Sequence, residues 1–143
     1  MTVKQISVFV ENKAGKLSEL TNILRQRDID MRALSIAETQ DFGIVRIIVD
    51  DAYNTACILR EAGYVLSITP VLAAAIPDEP GGLNRILDLL GEAGINLEYT
   101  YAFIARKEGL AYMIMRVADN DKAGAALQKA GVRLICQHEI AEL

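Results

Sequence analysis

Two short stretches carry residue types that could hold a charged small molecule: Asn12-Lys13-Ala14-Gly15-Lys16-Leu17 and Asp78-Glu79-Pro80-Gly81-Gly82-Leu83. Each sets a polar side chain three residues before a glycine and opens an apolar periodic run. A turn that enters a helix leaves backbone N–H groups unpaired, and the helix dipole adds partial positive charge there. Such a place suits a carboxylate or a phosphate. Gly15 and Gly81 have no Cβ, so a ligand can come close to the backbone. An ammonium group would need acceptors, which Asn12 or Asp78 could supply, as could Asp30 or Asn96 just after the helix-like runs. Lys13 and Lys16 suit an anion, whereas Asp78 and Glu79 repel one. Asn is both donor and acceptor, so the first loop is favoured. Taken alone, either loop is as readily a plain turn with an N-cap.

The elements that position these loops follow from hydrophobic periodicity. Alternation from Ile6 predicts a strand over Val3 to Val10, and Leu17, Leu20, Thr21 and Leu24 fall on one helix face. Met31 to Glu38 and Ile44 to Val49 read as strands around a Gln40-to-Gly43 turn. Asp50 and Asp51 stand where an N-cap belongs, before a helix over Ala52 to Ala62 that Gly63 stops. Tyr64 to Thr69 is a fourth strand, and Pro70 interrupts the apolar stretch. The series then restarts. Val71 to Ile76 reads as a strand, and Leu83, Ile86, Leu87 and Leu90 as a helix face. Leu97 to Arg106 and Leu110 to Ala118 read as strands around a Lys107-to-Gly109 turn. A helix over Asp119 to Ala130 and a strand over Val132 to Ile140 complete it.

The two series superpose. Gly15 and Gly81, Leu24 and Leu90, and Ile29 and Ile95 are each 66 apart; Leu59 and Leu127, and Gly63 and Gly131, are 68 apart. This internal repeat sets the expected fold: α+β, two ferredoxin-like βαββαβ repeats with antiparallel sheets and helices on one face. The expected domains are 1–69 and 70–143. Ile44 to Val49 is apolar on both strand faces except Arg46, so part of the open face or an edge calls for cover by a partner.

Composition excludes several classes. The 143 residues are 52% hydrophobic and 24% charged with a net charge of −4, against a nucleic-acid partner, which needs clustered Lys and Arg. The apolar run Val71 to Ile76 is too short to span a bilayer, and no signal-peptide pattern opens the chain, so a cytoplasmic location is expected. Cys57 and Cys136 lack metal or redox spacing and read as buried reduced thiols. His138, with Glu139 and Glu142 nearby, reads as structural rather than metal-binding. Tyr99, Tyr101 and Phe103 alternate on one strand face and read as core or interface. Ser35 and Glu38 could line a ligand seam. Arg32, Arg46 and Arg116 could meet a carboxylate, though such arginines usually serve solubility. No nucleophile–base set or metal cluster recurs, so no enzyme, cofactor or metal is expected.

Strand, N-x-x-G-x-L, helix, G-I-N or a variant, strand, turn, strand, helix, strand resembles the ACT domain. Asn12 to Leu17 with Asp28-Ile29-Asp30 carry the resemblance in the first half; Asp78 to Leu83 with Gly94-Ile95-Asn96 carry it in the second. Together the copies cover nearly the whole chain. The resemblance implies a free-standing tandem regulatory protein that binds a small molecule, an amino acid above all, at the seam between paired domains. It implies Asn12 acting with Asn96, or Asp78 with Asp30, a homodimer, and a regulated enzyme as a further partner. Ala14 replaces the proline common in the family loop, and Pro80 keeps it. The alternatives are an oligomerisation module without ligand and, less favoured, an RNA-binding module of the same topology, which would need more aromatics than Tyr112 on Leu110 to Val117.

Overall fold

The alternation that begins at Ile6 forms β1 (Val3–Glu11), and the apolar stripe after Gly15 forms α1 (Lys16–Gln26). A computed structural model describes residues 1–104 and 108–143 of the chain. The order continues as β2 (Met31–Glu38), β3 (Phe42–Val49), α2 (Ala52–Glu61), β4 (Leu66–Pro77), α3 (Gly82–Glu92), β5 (Leu97–Ala102), β6 (Leu110–Val117), α4 (Asn120–Lys129) and β7 (Arg133–Leu134). This is β-α-β-β-α-β twice, the ferredoxin-like repeat. Contacts divide the chain into a unit of Lys4–Thr69 and a unit of Pro70–Leu143 with Met1–Val3.

In the N-terminal unit the strand order is β2-β3-β1-β4. β1 and β3 are antiparallel with Ile6 opposite Ile47 and Val8 opposite Val45. β2 joins antiparallel, with Leu34 opposite Ile47 and Ile36 opposite Val45. Opposed residues share a sheet face. The face with Ile6, Val8, Val45 and Ile47 forms a buried core with Leu20 and Leu24 of α1 and Ala56 and Leu59 of α2. On the other face Ile48 and Ala33 are fully buried, while Phe9 is 50% exposed.

The C-terminal unit repeats the plan. The Leu72–Pro77 part of β4 pairs with β6, and Ala74 and Ala75 pair with β7. β5 joins the other side of β6. Leu72, Ala74, Ile76, Met115 and Val117 form the sheet side of a core closed by Ile86, Leu90, Ala123 and Leu127. Tyr101 and Phe103 are buried as expected, and Phe103 packs tilted against Tyr112, ring centroids 6.2 Å apart.

Several expectations are corrected. Pro70 does not interrupt a strand: β4 runs through it from Leu66 to Pro77. A proline is tolerated in a strand where no ladder hydrogen bond needs its missing N–H, and Pro70 is exposed there. The expected strand Val132–Ile140 shrinks to Arg133–Leu134, followed by a 3-10 helix over Gln137–Glu142. Glu139 causes the turn: its carboxylate accepts from the Cys136 N–H at 2.7 Å and pairs with Arg133 at 2.6 Å. His138 therefore sits on that helix, not on a strand. The β2–β3 turn is shorter than expected, since β3 already begins at Phe42. Leu87 is 40% exposed, its place in the α3 face taken by Leu89. Cys57 is exposed, because the inward positions of α2 are Ala52, Thr55, Ala56 and Leu59, and Cys136, at the start of the 3-10 helix, is half-buried. Asp51, not Asp50, caps α2, accepting from Asn54 N–H at 3.0 Å. The expected strand end at Ala105 and Arg106 and the turn residue Lys107 lie outside the described residues.

Candidate functional site

Both glycine loops form the geometry the sequence asks for. Gly15 is the N-cap of α1 with φ 84° and ψ −15°; Gly81 is the N-cap of α3 with φ 89° and ψ −10°. This left-handed conformation costs a side chain about 1–2 kcal/mol, which explains the glycines. Neither helix has a side-chain cap. In the first loop Lys16 N–H donates to Lys13 O at 3.2 Å and Glu19 N–H to Gly15 O at 2.9 Å. Between them, no partner among the described residues takes the N–H groups of Leu17 and Ser18. The second loop repeats this, with Gly82 N–H to Glu79 O at 3.0 Å and Arg85 N–H to Gly81 O at 3.0 Å.

The loops differ in their side chains. Asn12 Nδ2 donates to Thr39 O at 2.9 Å, fastening the loop to the β2–β3 turn. Its Oδ1 is left as an acceptor. A backbone tie, Asn12 N–H to Asp41 O at 3.0 Å, reinforces the fastening. Among the described residues Asp78 shows a backbone tie, N–H to Gly109 O at 3.1 Å. Lys13 pairs with Glu11 at 2.8 Å, and Lys16 with Glu19 at 3.3 Å. The Lys13 contact holds the Glu11 carboxyl below its ordinary value and raises the Lys13 ammonium in turn. Both expected anion-binding lysines thus already have acidic partners, through exposed pairs that are cheap to open.

Beside the first loop lies a cavity of about 130 Å³ lined by Glu11, Asn12, Lys13, Leu17, Ile36 and Glu38, with Val10, Gly43 and Val45. Glu38 lines this cavity, whereas Ser35 opposes Arg46 on the sheet face away from Ile36 and Val45. Ile36 and Thr39 went unseen, because they reach the loop only through the β2–β3 hairpin.

The resemblance pairs Asn12 with Asn96 and Asp78 with Asp30, one residue from each unit. Within its own unit Asp30 is exposed at the far end of α1 from the Asn12 loop, and Asn96 at the far end of α3 from Asp78, each about 16 Å away along eleven helical residues. Asp30 also lies 3.6 Å from Arg32. Arg32 grips Asp50 through Nε at 3.0 Å and Nη2 at 3.2 Å, and that bond raises its guanidinium pKa. Arg116 meets Glu98 at 3.2 Å. Among the described residues no group of three His, Cys, Asp or Glu could hold a metal, and no helix is long and apolar enough to cross a membrane.

A family model described as an ACT domain pair matches residues 1–143. The chain belongs to that family. A solved protein from Bacteroides thetaiotaomicron is 34% identical with a TM-score of 0.92, over 100% of this chain and 98% of its own. The regulatory subunit of aspartate kinase from Thermus thermophilus, solved ligand-free, has a TM-score of 0.68 at 17% identity, over 90% of each chain. The corresponding subunit from Thermus flavus reaches 0.63 at 14%, over 90% of this chain and 92% of its own. These two share the fold. Among curated proteins, none matches. ACT domain pairs are regulatory, non-catalytic domains whose homologues bind amino acids.

Proposed function

We propose that this chain is an amino-acid sensor whose ligand sits at the Asn12–Leu17 loop. The carrying observation is the unclaimed N–H pair of Leu17 and Ser18 at the start of α1, next to a cavity that also presents Asn12, Glu11 and Glu38. The N–H groups and helix dipole take the ligand carboxylate. Asn12 Oδ1 and the Glu38 carboxylate take its ammonium. At about 130 Å³ the cavity is smaller than the ~300–1,000 Å³ of most small-molecule sites. It is therefore half a site, completed at a seam by an ACT domain of a second copy, where Asn96 supplies the facing polar group.

Edge strand β2 supports that pairing. Leu34 is 37% and Ile36 45% exposed on it, an apolar edge that a homodimer would cover. The loop of Gly81, Gly82 and Leu83 has the same backbone frame, with Asp30 as its partner across a seam, but Asp78 and Glu79 disfavour a carboxylate. Ligand-dependent control of a separate enzyme is the expected output. Titration calorimetry of the chain with each of the twenty amino acids tests the reading. One or a few should bind saturably and lose affinity in Asn12→Ala; no binding by any amino acid refutes it.

A further inference from the structure

A cavity of about 480 Å³, inside the ~300–1,000 Å³ range of small-molecule sites, opens on the N-terminal sheet. Strand register builds its floor on the face turned away from α1 and α2. Phe9 of β1 opposes Ile44 of β3, and Ile44 opposes Ala37 of β2, so the three form one row across the face. Phe42, two residues from Ile44, stands on the same face, diagonal to Phe9. Phe9 is 50% and Phe42 57% exposed, which is a cost in solubility if nothing meets them. The polar groups of the hairpin turn are already engaged. Thr39 N–H donates to Phe42 O at 2.7 Å, Phe42 N–H donates to Thr39 Oγ1 at 3.1 Å, and Thr39 O accepts from Asn12. Glu38 is the ionisable residue of the lining, and strand alternation turns its side chain toward the Asn12 cavity.

The C-terminal unit shows what the same row holds when it is filled. There Ala75 opposes Tyr112, and Phe103 N–H donates to Tyr112 O at 2.8 Å. Ala75 and Phe103 lie 66 residues after Phe9 and Ala37, and Tyr112 lies 68 after Ile44. Phe103 and Tyr112 pack ring against ring and are 6% and 1% exposed. The first copy has Ala37 and Ile44 in place of those two rings, and both line the cavity.

We propose that this face of the first copy binds an uncharged, flat aromatic small molecule. Its ring takes the place that Phe103 and Tyr112 fill in the second copy. Flatness follows from the walls. Diagonal neighbours on a sheet face stand about 7–8 Å apart, twice the ~3.5 Å contact distance between carbon atoms. One planar ring therefore fits between Phe9 and Phe42, over Ile44 and Ala37, where aromatic contact adds to apolar burial. Lack of charge follows from the lining. Its one ionisable group, Glu38, repels an anion and points to the other face, so a charged ligand would lose water without gaining a partner.

The inference does not rest on the reading of the Asn12 loop. Amide NMR of the isotope-labelled full chain tests it with indole as the probe. Indole should move the amides of Phe9, Ala37, Phe42 and Ile44 saturably, and indole-3-acetate should bind about tenfold more weakly. Phe42→Ala removes an exposed wall and should weaken indole about tenfold. Ala37→Phe installs the ring that the second copy carries at Phe103, and should abolish indole binding while the rest of the spectrum stays in place. Absence of saturable movement at these amides, movement confined to residues 12–18, equal affinity for indole-3-acetate, or unchanged affinity in either variant would overturn the site. So would self-association of the parent, measured by sedimentation velocity, that Phe42→Ala abolishes, because a second copy would then cover the face.

Discussion

Asn12 and Thr39 are joined across 27 residues: the side-chain amide of Asn12 donates to the Thr39 carbonyl at 2.9 Å. One bond therefore sets the strand-to-helix loop against the β2–β3 turn and leaves Asn12 Oδ1 to face a ligand. Asn12→Asp keeps an acceptor but loses the donor. It should lower stability by about 1 kcal/mol or less, since the bond is exposed. Asn12→Ala should do the same and remove the ligand acceptor as well. Urea unfolding measures the first effect, and calorimetry separates the variants by the second.

Gly15 and Gly81 hold the same left-handed conformation, but the residues after them do not tolerate the same change. A Cβ on Gly82 would stand 2.3 Å from Pro77 O, a backbone atom that cannot swing away. The equivalent first-copy residue is Lys16, whose side chain is accommodated. Gly82→Ala should cost about 1–3 kcal/mol as overpacking. Lys16→Ala should change stability by less than about 0.5 kcal/mol. The difference in denaturant midpoint between the two variants is the readout.

The second helix of each copy begins with the same device. Asp51 accepts from Asn54 N–H at 3.0 Å, and Asp119, 68 residues on, from Lys122 N–H at 2.9 Å. Asp51→Ala and Asp119→Ala should each lower stability by about 1 kcal/mol, and the Asn variants by less. Equal stability of the Ala variants and the parent in thermal unfolding would show that these caps are not needed.

Glu139 gives the C-terminal segment its acid sensitivity. Its carboxyl is held below the ordinary value of 4.5, first by the Cys136 N–H and then by Arg133. A lowered folded-state pKa means that this contribution is present above the unfolded value and is lost as pH falls through the folded one. Between about pH 6 and about pH 3 the parent should therefore lose more stability than Glu139→Gln. The variant should also show faster amide exchange at Glu139 and Leu143, which bond to Cys136 O and Ile140 O.

Much of this was legible because the sequence states it twice. Each strand and helix expected in one copy has its counterpart in the other, and the glycine positions fixed both loops. What escaped were features set by tertiary contact. The strand expected to Ile140 was overruled by Glu139 folding back on Cys136, a bond that no alternation pattern announces. The Asn12–Thr39 bond depends on how two loops meet at one end of a sheet. A cavity beside α1 joins Phe9 and Val65, 56 positions apart, which no local pattern brings together. Cys57 was misread because it adjoins the buried Ala56, although helix periodicity turns it outward.

The central claim is that the Asn12 loop takes an amino acid. A thermal-shift screen of all twenty amino acids on the full chain, repeated on Asn12→Ala, tests it most directly. The account predicts that one or a few raise the melting temperature of the parent, by the equivalent of ~2.7 kcal/mol at a hundredfold their Kd, and that the variant loses the shift while staying folded. A parent that responds to none of the twenty, or a shift unchanged in Asn12→Ala, contradicts it.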